Sequence, residues 1–443
     1  MGELQVHDVF TPGSYPTNNY VTRSNEAAKK AAKTLKRDIR YGGYFIIVSG
    51  PTKVGKTVLV EHTDPDAHVI RGSSIKSVDD LWARFGSKLG IPVSKETGRV
   101  TSDKSKWTFW ASIGLGGSTA AGEHGLDKST GETHELHPED AVPDAIKVAR
   151  KNGKRVNLVI DDFHFMAPAL ALEVIRALRG VTEAKGTVTL VTLPHRAKQV
   201  PAMVEDIKGR IQHIQVPEWS AAELEEIATQ GFRTLNLVDA SGFAKDLAMQ
   251  SYGSPQLMQR LCLAFCDDVN GIEEEQPVHV VLHEPASWDE FYRELEDVGS
   301  QTWLRKLHDG PMVRGADRST YTLHDGRTLD PYPIVLTALQ SLLPAKEVSI
   351  GILTARIAEL LVDPEEAKKM TLGPKLKHMS RIATKRADQD TWDEVQEADP
   401  DQFAGADDEK GNTQPAFEYR DETAYILEPF FAYGLRWHYP LAG

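Results

Sequence analysis

The chain is poor in cysteine, in excess positive charge and in long apolar runs, and each shortage removes a class of explanation. Among 443 residues only Cys262 and Cys266 are cysteines. They stand one helical turn apart in "RLCLAFC", a spacing that suits two reduced thiols on an apolar helix face and not a disulfide; a metal site there would need ligands from elsewhere. The formal net charge is -13, which excludes a surface that binds polyanions all over but leaves room for a local basic patch. No apolar run approaches the about 20 residues of a membrane span, and no signal-peptide core opens the chain. These absences point to a soluble cytoplasmic protein. No repeat of solenoid period is present.

What is there is enough for several cores. At roughly 100–200 residues per domain the length predicts two to four domains. One stretch carries most of the chemistry, "FIIVSGPTKVGKTVLVEH", Phe45 to His62. Phe45-Ile46-Ile47-Val48 reads as a buried strand that stops at Ser49. Gly50, Pro51, Thr52, Lys53, Val54, Gly55, Lys56 and Thr57 then match G-x-x-x-x-G-K-[ST], and Val58 continues into a helix. In such a loop successive backbone N–H groups surround phosphate oxygens, helped by the N-terminus of the following helix. Lys56 is placed to reach the β- and γ-phosphates, and the Thr57 hydroxyl to bind Mg²⁺.

A phosphate loop needs a second acid for the metal. Val156 to Ile160 is a continuous apolar strand ending in Asp161-Asp162, at the strand edge where parallel sheets place ligands. Asp161 is the candidate Mg²⁺ acid, and Asp162 the candidate for positioning or deprotonating the attacking water. The bland alternative is an acidic cap after a strand. Further strands at His68–Arg71 and Thr187–Leu193 alternate with helices at Ser24–Asp38, Val78–Leu89, Ala141–Lys151 and Leu170–Arg179, which predicts a parallel sheet covered on both faces.

Met1 to Thr22 reads as a polar, Pro/Gly-containing arm, and residues from about 92 to 137 as a Gly-, Ser- and Thr-rich insertion, loop or hairpin. After Pro217 the pattern is helical, with Ser220 capping "AAELEEIATQGF". Residues 271–329 read as a mixed connector. Pro333–Leu343, Ile350–Leu361 and Pro374–Lys385 are three helices, followed after an acidic stretch by short strands at Ala416–Glu418 and Thr423–Leu427; three helices and a hairpin suggest a winged helix. The third helix carries Lys375, Lys377, Arg381, Lys385 and Arg386, suited to DNA phosphates or base edges, or to an intramolecular or protein contact.

Taken in order, these pieces resemble the AAA+ and STAND (signal-transduction ATPases with numerous domains) class of P-loop ATPases. Tyr20-Val21-Thr22-Arg23 is similar to the adenine-side box that precedes the loop. "VNLVIDDFHFM" is similar to a STAND second acidic motif. "VTLVTLPHR" is similar to the next strand with its sensor, giving Thr192 and Arg196. "GRIQHIQVPEW" is similar to the exit to a lid, with Arg210 where AAA+ proteins often keep an arginine that acts on a neighbour. "YGSPQLMQR" is similar to the lid's G-x-P motif, Gly253 and Pro255, and "LEPFFAYGLRW" to the end of the winged helix in archaeal-type STAND ATPases. The resemblance implies an α/β P-loop core over residues 1–216, a helical lid over 217–270 and a winged helix over 330–443. It implies ATP with Mg²⁺, slow hydrolysis and a switch whose nucleotide state controls oligomerisation and a separate effector, in a homo-oligomer or hetero-complex; anti-phage defence is a setting common among such relatives. A DNA-binding helper ATPase of transposition or replication type is the alternative, and a non-hydrolysing nucleotide-holding scaffold a third reading.

The sequence departs from that pattern at two places. Gln256 stands three residues after the lid glycine, where AAA+ proteins usually have arginine, and Arg260 follows one turn later. Asp162, not glutamate, follows Asp161. Both departures favour a switch over a motor. Arg210 and Arg196 also admit reading as ordinary surface residues. His164 is more at home packing beside the acids than acting as a base, His124, His134 and His137 sit in the polar insertion, and Trp107, Phe109 and Trp110 either anchor that insertion or form a partner-binding tip.

Overall fold

Apolar runs that end at turn residues become the central strands here. The computed structural model describes residues 4–90, 100–101, 135–136, 138–194, 197, 200, 209–295, 298–311, 318–384 and 415–440. They form two compact units: Ser24–Pro51 with Gly55–Pro217, and Met1–Arg23 with Thr52–Val54 and Glu218–Gly443. The short helix α1 (Val6–Val9) opens the second of these.

The first unit starts with α2 (Glu26–Tyr41), whose first turn is capped by the Asn25 side chain accepting from the Ala27 and Ala28 amides; a side-chain oxygen there satisfies amides that the helix itself leaves open. Next come β1 (Phe45–Ser49), α3 (Lys56–Thr63), β2 (His68–Arg71) and α4 (Val78–Leu89). Strands β3 (Val100–Thr101) and β4 (Glu135–Leu136), both within the expected insertion, pair antiparallel; Trp107, Phe109, Trp110, His124, His134 and His137 lie outside the described residues. The unit continues with α5 (Pro138–Lys151), β5 (Asn157–Asp161), α6 (Pro168–Ala177), α7 (Arg179–Glu183), β6 (Thr187–Thr192) and β7 (Ile211–Gln215). Five strands make one parallel sheet in the order β2–β5–β6–β1–β7.

β1, β5 and β6 are buried almost throughout. One face of the sheet, with Phe45, Ile47, Leu158, Ile160, Val188 and Leu190, packs against residues of α4 to α7 in a single apolar cluster. β7 was expected only as a lid exit. It is the edge strand beside β1, and Gln212, His213 and Gln215 interrupt its apolar pattern because an edge strand meets a neighbour on one side alone. Arg210 therefore precedes the last strand of the sheet instead of following it.

The second unit holds α8 (Ala221–Thr234), β8 (Leu237–Val238), α9 (Phe243–Met249), α10 (Pro255–Ala264), β9 (Val280–Val281), α11 (Trp288–Glu294) and α12 (Val298–Asp309). After a small hairpin, β10 (Tyr321–Thr322) with β11 (Thr328–Leu329), come α13 (Pro331–Leu342), β12 (Glu347–Ser349), α14 (Ile350–Leu360), α15 (Glu365–Lys369) and α16 (Leu372–Thr384). It ends with β13 (Phe417–Arg420), β14 (Thr423–Ile426) and α17 (Pro429–Trp437). The antiparallel sheet β12–β14–β13 with helices α13, α14 and α16 has the element order expected of a winged helix, with the additional strand β12.

Two expectations are corrected in this unit. The N-terminal arm is not merely polar: Val6, Val9 and Phe10 are buried in the same apolar cluster as Leu224 and Phe232, and the Val6 amide donates to the Glu273 carbonyl at 2.8 Å. The Phe10 ring lies so close to Gly231 that a Cβ there would meet it at 2.3 Å. The stretch 271–329 is likewise more than a connector, because α12 packs against α13 and α17.

Candidate nucleotide site

The first unit builds the phosphate-binding end from strand termini. β1 delivers Gly50 and Pro51, and Gly55, in the left-handed region at φ 83°, starts α3; a glycine takes that conformation without the clash a Cβ would bring. Lys56 and Thr57 are the first two residues of α3, and Val58 follows, partly buried. The Lys56 ammonium turns back into the loop, donating to the carbonyls of Gly50 at 3.1 Å and Pro51 at 2.7 Å. Burial pushes its pKa down to about 8, opposed by the nearby carboxylates of Asp162 and Asp161. A desolvated ammonium with only carbonyl partners gains most when an anion arrives.

β6 lies between the strands that carry the loop and the acids, yet the site closes across it. The Thr57 hydroxyl reaches the Asp161 carboxylate, 2.9 Å from Oδ1 and 3.0 Å from Oδ2. The Asp162 amide donates to Asp161 Oδ1 at 3.0 Å. Burial pushes the carboxyls of both acids up; at Asp161 the Thr57 bond is the first opposing influence, and at Asp162 the neighbouring Asp161 raises it further. Asp162 turns the chain at φ 52°. Gly72 is needed for that turn, since a Cβ there would stand 2.7 Å from the Asp162 carbonyl oxygen. At the end of β6, Thr192 is fully buried and its hydroxyl has no hydrogen-bond partner among the described residues.

These groups fit Mg²⁺. One hydroxyl and one carboxylate, already in contact and partly desolvated, are hard oxygen donors, and two protein oxygens are the small protein contribution that Mg²⁺ takes when phosphates and waters fill the rest of its shell. No larger group of metal-binding side chains occurs among the described residues. Arg71, unremarked in the sequence, lies opposite Asp161 in the β2–β5 register and its charge holds both acids down.

Of the other expected residues, Arg210 lies on the sheet unit and Tyr20, Val21, Arg23 and Pro255 belong to the second unit. Arg210 is exposed, 3.7 Å from Glu183 Oε1, at the start of β7 and so at the sheet edge opposite the loop. Arg196 lies outside the described residues. In the second unit Val21 is buried in the apolar cluster, and Tyr20 stacks on Tyr15 with ring centres 6.2 Å apart. Arg23 is engaged within that unit: it pairs with buried Glu223 at 2.9 Å, donates to the Glu218 carbonyl and lies 4.6 Å over the Trp219 ring. Trp219 in turn donates from its indole N–H to the carbonyl of Val54, in the loop tip Thr52–Val54 that groups with this unit. Pro255 is the first residue of α10, behind a Ser254 cap. Neither Trp219 nor Glu223 was singled out in the sequence; the S-x-x-E spacing of Ser220 and Glu223, a capping box in the structure, was the available signal.

No protein-family model and no curated protein matches the chain. Solved structures do. The Walker-type ATPase of Pyrococcus abyssi is similar at a TM-score of 0.50 and 12% identity, over 97% of this chain and 99% of that one. The ORC2 protein of Aeropyrum pernix, in its ADPNP–ADP complexes, gives 0.48 and 13% over 98% and 97%, and Cdc6p of Pyrobaculum aerophilum 0.40 and 12% over 84% and 91%. Together with five parallel strands, the loop after β1 and the acids at the end of β5, the first of these likenesses makes this a P-loop NTPase fold.

Proposed function

We propose that the protein is an ATP-binding molecular switch that hydrolyses ATP slowly and whose nucleotide state controls its assembly. The observation that carries this reading is the convergence of Lys56, Thr57 and Asp161 at one end of the sheet. Lys56 exchanges the Gly50 and Pro51 carbonyls for phosphate oxygens, the loop amides surround them, and Thr57 with Asp161 holds Mg²⁺. The metal, when bound, offsets charge on the phosphates. Asp162 orients the attacking water and Thr192 offers its unpartnered hydroxyl at the same edge. Aspartate reaches less far than glutamate, which supports slow turnover by a lone subunit.

Arg210 acts on a neighbour in this reading. It stands at the far edge of its own sheet and is exposed, so its rigid fork is available to another subunit's phosphates; an arginine supplied in this way is worth about 10³–10⁵ in rate. The assembly is a homo-oligomer or a hetero-complex with a separate effector, and anti-phage defence is its proposed setting. Arg210→Ala and Lys56→Ala subunits are each expected to be inactive alone; mixed, they should recover part of the activity if the arginine works in trans. A mixture that co-assembles and stays inactive, or a fully active Arg210→Ala protein, leaves the Glu183 ion pair as the whole role of Arg210.

A second reading, a DNA-binding helper ATPase, is favoured by exposed Lys377 and Arg381, one turn apart on α16. It is weakened at Lys375, whose ammonium serves the Met370 and Thr371 carbonyls; Lys385 lies outside the described residues.

A further inference from the structure

Glu428 and Phe430 belong to "LEPFF", and nothing in the nucleotide chemistry above uses them. Glu428 caps α17: its Oε2 accepts from the Phe431 amide at 2.6 Å. Its other oxygen, Oε1, lies 3.2 Å from the ammonium of Lys53, and the same ammonium stands 3.8 Å from the centre of the Phe430 ring. All three residues belong to the second unit, which includes the loop tip Thr52–Val54. Lys53 carries the tip through a left-handed turn, φ 60°. The indole N–H of Trp219 fixes the next residue by holding the Val54 carbonyl at 2.9 Å.

The contact has an uncommon electrostatic sign. A helix N-terminus is partially positive and disfavours a cation. Lys53 sits at one nonetheless, because the Glu428 carboxylate outweighs the helix end and the face of Phe430 adds a cation–π attraction. Both partners of the pair are substantially shielded, with side-chain exposures of 32% and 17%, so water screens it less than a surface pair. Neutralising Glu428 therefore does more than delete an attraction: it leaves the ammonium facing the bare helix end.

We propose that Glu428 is a positioning residue for the nucleotide-binding loop, acting through Lys53 to fasten the loop tip to the start of α17. The loop has to keep its amides pointing inward around phosphate; a tip tied at Lys53 and Val54 holds that shape and restrains the exit of a bound nucleotide. The consequence for nucleotide release rests on the ATP-binding reading above, whereas the fastening of the loop does not.

The test uses the full-length chain and two measurements. Hydrogen exchange without nucleotide follows the peptide covering residues 50–57 in Lys53→Met, Glu428→Gln, the double variant and the conservative Lys53→Arg. Glutamine retains an oxygen for the α17 cap, and Lys53→Met leaves α17 untouched. Each single variant is expected to exchange about tenfold faster in the loop, the scale of one charge-assisted contact. The double variant should be no faster than the singles, and Lys53→Arg close to the parent. Release of a fluorescent ADP analogue, by stopped flow, should accelerate in the same order. Loop exchange unchanged in both single variants, or independent additive effects in the double, overturns the proposal. If the parent chain binds no fluorescent nucleotide, the ATP reading fails by itself and the exchange data still decide the fastening.

Discussion

The sheet unit and the second unit place their working residues by opposite means. In the sheet unit, the residues of the proposed site sit where strands stop: Gly50 after β1, Asp161 at the end of β5 and Thr192 at the end of β6. The strands are stiff and hydrogen-bonded in register, so residues 104 apart in sequence, Thr57 and Asp161, meet at 2.9 Å. In the second unit, contacts join distant segments side chain by side chain. Phe10 of the N-terminal arm packs beside Phe232, Arg23 pairs with Glu223, and Lys53 meets Glu428. Strand ends collect polar groups; the second unit joins a loop tip, an arm and α17 through separate contacts. The difference teaches where to look for catalysis and where for control.

The comparison predicts that damage separates by unit. The largest effect is expected for Lys56→Ala, which should weaken ATP binding by about 10²-fold or more through lost charge-assisted bonds while leaving the melting temperature near that of the parent; calorimetry and a thermal melt read both. Asp161→Ala should abolish Mg²⁺-dependent turnover. Conversely, Phe10→Ala should cost about 3–5 kcal/mol of stability, as large buried aromatics do, with ATP affinity nearly unchanged; denaturant unfolding measures it. An equal loss of both properties in either variant would break the comparison.

A pH series sharpens it. Lys56 has its folded pKa lowered to about 8 from the ordinary 10.5. Between those values the unfolded chain binds more protons at this position, so the Lys56 contribution makes the nucleotide-free protein more stable as pH rises from 8. Phosphate needs the charged ammonium. ATP affinity should therefore fall above pH 8, by up to about tenfold per pH unit. Stability and affinity should move in opposite directions, and parallel movement would contradict the assignment of Lys56. The smallest effect is expected at α16: Lys377→Ala and Arg381→Ala should stay within about 0.5 kcal/mol of parental stability. Under the DNA reading alone, each lowers the salt slope of DNA binding by about 1.

Much of the sheet unit was legible because its signals are local. Phe45–Val48 and Leu158–Ile160 are unbroken apolar runs, and the phosphate loop and the acids adjoin them in sequence. β7 was not legible, since an edge strand bearing Gln212, His213 and Gln215 has no such run. The arm hides its core residues for the same reason: Val6, Val9 and Phe10 are three apolar residues in a polar context, and only their partners on α8 reveal them as core. Arg23 shows a partner that its motif does not announce. Its place in the motif suggests nucleotide contact, and the structure adds a 2.9 Å pair with buried Glu223. Long-range pairs such as Lys53 with Glu428 leave no periodic trace at all.

The central claim is that nucleotide state sets assembly, and light scattering coupled to size exclusion tests it most directly. The full-length chain is run without nucleotide, with ADP and Mg²⁺, and with a non-hydrolysable ATP analogue and Mg²⁺, alongside Lys56→Ala. The account predicts a shift to a larger mass with the ATP analogue only, absent in Lys56→Ala. The same mass under all three conditions, in a protein shown by calorimetry to bind the analogue, would contradict it.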